Sequence, residues 1–150
     1  MKKNRPAILL LAVLLAVTAA AAGIHLSTRQ TAQMGTVLVE YGGKVEELSL
    51  DRVELTAVRG TVINGKGEER RVDAQGAPLS AVLAEAGITS YTQAAVTADD
   101  EYSVTVTQEE ATAPDRVFLI VQEGERPQLL VFGDPNSKRN VTNVIRLTVS

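Results

Sequence analysis

Cysteine and tryptophan are absent from this chain, histidine occurs once, and aromatic side chains amount to three Tyr and two Phe. Without cysteine there is no disulfide, no thiolate metal site, no iron–sulfur cluster and no sulfur nucleophile. A domain exported without disulfides is held by packing alone, and here its core must come from Val, Leu, Ile and Ala. The single histidine, His25, directly follows an apolar leader. It reads as an interfacial or linker residue rather than a metal ligand. No imidazole is then left in the folded part to activate a hydroxyl, which excludes a Ser–His–Asp arrangement there. A Ser–Lys pair around Ser137 and Lys138 has the right atoms but no surrounding signature.

Acidic residues are also missing from the start of the chain, the first being Glu40. Lys2, Lys3 and Arg5 precede an uncharged apolar run from Ala7 to Ile24. As a helix that run would span roughly 27 Å, close to the hydrocarbon thickness of a bilayer. The positive end predicts a cytoplasmic N-terminus, with everything after Ile24 delivered across the membrane. Two readings fit residues 1–24. A cleaved signal peptide is consistent with Ala7–Val17 followed by Ala20-Ala21-Ala22, and an uncleaved anchor with the full run. A lipid anchor on cysteine is excluded. Residues 25–35 read as a linker and 36–150 as one domain, exported and either membrane-tethered through 7–24 or secreted.

Residues 1–30 hold four basic side chains (Lys2, Lys3, Arg5, Arg29) and no acidic one, so of 15 basic and 18 acidic residues the remainder has 11 and 18, a net charge of −7. That balance disfavours nucleic acid or anionic lipid as a broad-surface partner and favours solubility outside the membrane.

Along the domain the pattern is mostly β. Thr36–Tyr41 is β-branched and apolar and stops at Gly42-Gly43. Lys44–Leu50 is a weaker strand. Glu54–Asn64 is a better one, with Gly60 as a bulge or a point of close approach. Asn64-Gly65-Lys66-Gly67 is a hairpin turn, with Glu68–Val72 as an exposed return strand. Leu79, Val82, Leu83 and Ala86 share one helical face, with Pro78 before them and Gly87 after. Gln93–Ala98 and Tyr102–Thr107 flank Asp99-Asp100-Glu101, the second strand burying Tyr102, Val104 and Val106. Gln108–Ala113 reads as one helical turn stopped by Pro114. Arg116–Gln122, Gln128–Phe132 and Val141–Val149 complete seven or eight strands. The predicted class is α+β, mostly β, with a mixed sheet and one firm short helix.

Few groups carry chemistry. Asp99-Asp100-Glu101 lacks the staggered ligands of a calcium loop and reads as a solvated turn. Glu46 with Glu47, and Glu109 with Glu110, point in opposite directions on any regular element and make poor acid–base couples. Asn140-Val141-Thr142 matches a glycosylation acceptor, but the short alanine-rich leader is of bacterial type, so the match reads as chance. Lys138, Arg139 and Arg146 form the basic patch of interest, able to receive a phosphate or carboxylate; they equally serve to solvate a loop. Lys66, Arg70 and Arg71 make a second basic cluster on the exposed hairpin.

The order of segments also carries a resemblance. Gly76-Ala77-Pro78-Leu79-Ser80-Ala81-Val82-Leu83-Ala84-Glu85-Ala86-Gly87 resembles the G-V-P-L-x-x-L-L-x-x-A-G segment of the molybdopterin-binding domain of the sulfite oxidase family. Val96–Val104 stands where that family has strand, D-G-Y-like turn and strand. Val117–Pro127 is similar to its L-A-Y-x-x-N-G-x-P stretch. Leu129–Gly133 and Lys138–Val149 are similar to its closing strand, loop and W-V-K-x-I-x-x-I-x-V. The resemblance covers Thr36 to Val149. It implies that fold, with the Gly133–Arg146 loop and Pro78 near the ancestral pocket. The family holds molybdenum through a cysteine located before the G-V-P-L segment, where this chain has Gly60 to Arg71. Its histidine-, arginine- and tryptophan-bearing loops are missing or short here. What the resemblance implies is therefore a trimmed scaffold without the metal centre and without a cofactor: a non-catalytic module binding a protein partner or a small anionic ligand, with Lys138, Arg139 and Arg146 as contacts. The alternative is an accessory subunit that still holds a molybdopterin-type cofactor.

Overall fold

A computed structural model describes residues 34–150. The expected leader, its apolar helix and most of the linker lie outside the described residues. Among those described, no helix is long and apolar enough to cross a membrane.

Nine strands and two short helices follow one another: β1 (Thr36–Tyr41), β2 (Lys44–Ser49), a 3-10 turn (Leu50–Arg52), β3 (Thr56–Ile63), β4 (Glu69–Pro78), α1 (Leu79–Glu85), β5 (Gln93–Ala98), β6 (Ser103–Thr107), α2 (Gln108–Thr112), β7 (Val117–Ile120), β8 (Gln128–Val131) and β9 (Val144–Val149). The strands form two sheets. One has five strands in the order β2-β1-β9-β5-β6, the other four in the order β3-β4-β7-β8. The first is mixed, because β1 runs parallel to β9 while its other pairs are antiparallel. The second is antiparallel throughout. The class is thus α+β and mostly β, as the patterning indicates, with two sheets rather than one and, among the described residues, two helices, the second at the helical turn expected over Gln108–Ala113.

Several differences have local causes. The return strand predicted over Glu68–Val72 continues to Pro78, since Gly76, Ala77 and Pro78 find partners on β7. Proline is accommodated there because its chain runs directly into α1, at whose N-cap it sits. Helix α1 ends as predicted: Gly87, at positive φ, donates to the Ala84 carbonyl and Ile88 to that of Leu83, the paired bonds of a glycine-terminated helix. Helix α2 starts with a reciprocal cap. The Thr107 hydroxyl accepts from the Glu110 amide, and the Glu110 carboxylate accepts from the Thr107 amide. Tyr102 does not join the buried face of β6. It is 47 % exposed and lies just before the strand, its hydroxyl donating to the Lys138 carbonyl. The last strand begins at Val144, and Val141 makes only an isolated bridge to Leu129.

The alternation of β7 explains how the sheets share a core. Its four residues are all buried. Val117 and Leu119 face the main cluster, which contains Val37 and Val39 of β1, Leu79, Val82 and Leu83 of α1, Val96 of β5 and Leu147 of β9. Phe118 and Ile120 face the other way, into a second cluster with Val58, Val62, Val72 and Leu130. A strand buried on both faces loses the period-two signal and reads as a continuous apolar run.

The second cluster is enclosed because the four-stranded sheet curls until its edges approach. Gly60 on edge strand β3 lies against Phe132 beyond edge strand β8, where a Cβ would come within 2.7 Å of the ring. The Asn140 amide reaches across to the Ile63 carbonyl at 3.4 Å. Phe118 and Phe132 meet edge to face inside the curl, with centroids 5.8 Å apart. Of the two roles open to Gly60, close approach is the one observed. The β3–β4 register runs through it without a bulge.

Candidate functional site

Two features stand out on this framework: a charged cluster and an open groove. The cluster is assembled from three elements distant in sequence. The reciprocal cap of α2 fixes the Glu110 side chain over the start of its own helix. The loop after β8 brings Asp134 and Arg139 beside it, and Arg116 enters at the start of β7. The Arg139 guanidinium grips Asp134 with two bonds of 2.7 Å and Glu110 with contacts of 2.8 and 2.9 Å. Arg116 lies 3.5 Å from Glu110 and 3.7 Å from Asp134. Two cations and two anions make a neutral, largely enclosed quartet.

The titration behaviour follows from that geometry. The hydrogen bonds from Arg139 are the main cause holding the Glu110 carboxyl down, at about 2, against the opposing effect of burial. The bonds to Asp134 and then Glu110 raise Arg139 beyond its ordinary value. Neither group is tuned toward proton exchange near neutrality, so the quartet is a structural clasp joining α2 to the β8–β9 loop.

The three basic residues expected to receive an anion are therefore placed differently from one another. Arg139 is inside the quartet. Arg146, on β9, pairs across the five-stranded sheet with Glu40 of β1 at 3.2 Å. Lys138 is exposed, its backbone amide donating to the Asn136 side chain and its carbonyl receiving Tyr102. Two of the three positive charges thus already hold carboxylates within the chain. On the second basic cluster, Arg70 and Arg71 are exposed, as expected for that hairpin. Asp99-Asp100-Glu101 forms a tight turn in which Asp100 accepts from the Tyr102 amide. Among the described residues no group of three His, Cys, Asp or Glu is arranged to hold a metal ion. Asn140 of the glycosylation-like triplet is occupied: its carbonyl oxygen accepts from Val131 and its amide donates to Ile63.

The groove lies away from these residues. It encloses about 530 Å³ between Gly35, the 3-10 turn with Leu50 and Asp51, Leu55, Gln75 of β4, and the loop Val121–Glu125 that joins β7 to β8. Backbone bonds set its walls. Leu50 donates to Gly35 at 2.9 Å and Val121 to Gln75 at 2.9 Å, and Glu125 closes the loop onto Gln122. Its floor is apolar: Leu50 is 1 % exposed, and Leu55 and Val121 pack against the main core. A second hollow of about 350 Å³ adjoins it, sharing Met34, Gly124 and Glu125 and reaching Arg126, Thr142 and Asn143. Neither hollow is lined by Pro78, Lys138, Arg139 or Arg146. Composition and spacing do not single out these lining residues. Those of the larger hollow come from five separated segments, of which only the loop over Glu123–Pro127 had a signal for a site, through its place in the resemblance.

No family model and no curated protein matches this chain.

Proposed function

We propose that the chain is a non-catalytic binding module, exported and tethered to the membrane through residues 7–24, built on a sulfite oxidase-like scaffold that has lost its metal centre. The observation that carries this reading is the groove. It is an open trough with an apolar floor, of a size typical for ligand or peptide recognition, and its lining includes no histidine, cysteine or lysine. Glu110, Arg116, Asp134 and Arg139 are tied to one another in the quartet.

The molybdopterin-type cofactor of the alternative reading does not fit these residues. The stretch where the family carries its thiolate, Gly60 to Arg71, is here the β3–β4 hairpin, and the chain contains no cysteine. Arg139 and Arg146, the guanidiniums best suited to a phosphate, are engaged by Asp134, Glu110 and Glu40. Fold alone does not bring activity with it.

The test is direct. The full-length protein is recovered from membranes, and its absorbance spectrum and metal content are measured. A colourless, metal-free protein retained in the membrane fraction is the expected result. Stoichiometric pterin or molybdenum would establish the accessory cofactor-binding subunit in its place.

A further inference from the structure

We infer that the groove beside the β7–β8 loop receives a basic segment of a partner protein, with a Lys or Arg side chain laying its stem on the apolar floor and its head group among the rim carboxylates. The inference rests on the binding-module reading above and names the chemistry of the partner.

Charge is the first argument. The larger hollow is lined by Asp51, Glu123 and Glu125 and by no lysine or arginine. Five carboxylates elsewhere in the domain have arginine partners: Glu40 with Arg146, Asp73 with Arg59, Glu85 with Arg52, and Glu110 and Asp134 with Arg139. Asp51, Glu123 and Glu125 have none among the described residues; Asp51 only accepts from the Ser49 hydroxyl. An anion entering the groove would meet three like charges, whereas a cation supplies what the rim lacks. The net charge of −7 beyond residue 30 adds attraction at longer range.

Shape is the second. The floor of Leu50, Leu55 and Val121 suits the methylene stem of a long basic side chain, which buries its carbons and keeps its charge at the rim. The trough adjoins the second hollow past Gly124 and Glu125, where Arg126 marks the end of the acidic stretch. An open depression with a second hollow beside it has room for a run of several residues and not only for a compact amine.

The test is a calorimetric titration of the full chain in non-ionic detergent with two capped peptides, Leu-Lys-Leu-Lys and Leu-Glu-Leu-Glu. The lysine peptide is expected to bind saturably and to weaken as salt is raised. In the variant carrying Asp51→Asn, Glu123→Gln and Glu125→Gln its affinity should fall about tenfold or more, the loss expected when charge-assisted contacts are removed. All three positions are exposed, so the variant keeps the fold. Equal affinity in the variant, or no binding of the lysine peptide, overturns the inference. Preferential binding of the glutamate peptide, abolished by Lys138→Ala, also overturns it but leaves the binding-module reading standing. A bound metallopterin in the purified protein removes that reading whatever the peptides do.

Discussion

Replacing Glu110 with glutamine should weaken this protein at neutrality more than in acid. In the folded chain the Glu110 carboxyl titrates at about 2 against an ordinary value of 4.5. A depressed carboxylate contributes stability that is fully present above its unfolded value and is lost as pH falls through the folded one. The whole displacement corresponds to about 3 kcal/mol. The side chain is still 24 % exposed, so water screens part of that field, and about 1.5 kcal/mol is the better expectation. Glutamine at this position can still close the reciprocal cap with Thr107, which leaves the charge as the main difference between the two proteins. Urea unfolding of native protein and Glu110→Gln, followed from pH 7 to pH 2.5, checks this. At pH 7 the variant should be weaker by about 1.5 kcal/mol, and the gap should close between roughly pH 5 and pH 2. Other carboxylates titrate in both proteins and cancel in the difference. A gap that stays constant across the range would refute the assignment of the depressed titration to the Arg139 clasp.

Gly76→Ala should cost about 2–3 kcal/mol, because the new methyl would sit 2.6 Å from the Leu119 carbonyl oxygen and press β4 away from β7; a melting temperature within a degree of the native value would contradict that packing. Asn140→Ala should cost about 1–3 kcal/mol by leaving the Val131 amide without its acceptor and freeing the edge of β3, and faster amide exchange at Val131 is the signature to seek. Expressed in a host that glycosylates secreted proteins, the native chain should carry no sugar on Asn140, whose amide is engaged with Ile63; intact mass reports it at once.

Local chemistry made much of the domain legible before any coordinates. Thr36–Tyr41 and Gln93–Ala98 are strands with those bounds, because β-branched residues end against glycines in one case and acidic turn formers in the other. The helix after Pro78 and its stop at Gly87 depend on groups within a few residues of each other. The cap between Thr107 and Glu110 is written in the chain as a Thr-x-x-Glu spacing. Pairing is another matter. That Pro78 belongs to a strand depends on Phe118, and that Tyr102 lies in solvent depends on the loop carrying Lys138. The basic residues show the same limit most clearly. As a string, Lys138, Arg139 and Arg146 are three cations close together. In space, one is exposed, one is gripped by a carboxylate of its own loop and another from α2, and one pairs with Glu40 on the neighbouring strand.

The amino-acid string by itself determined that no thiol chemistry is available to the chain, and that aliphatic packing must hold the domain. Those follow from which atoms exist, whatever their arrangement. Only the tertiary structure decided which charges are already neutralised and where an open surface remains. Glu110 finds Arg139 across 29 positions, and the groove is walled by segments from Gly35 to Glu125. Electrostatic neutralisation and concavity both depend on distances between remote parts of the chain, and those distances exist only once the two sheets have closed on their shared core.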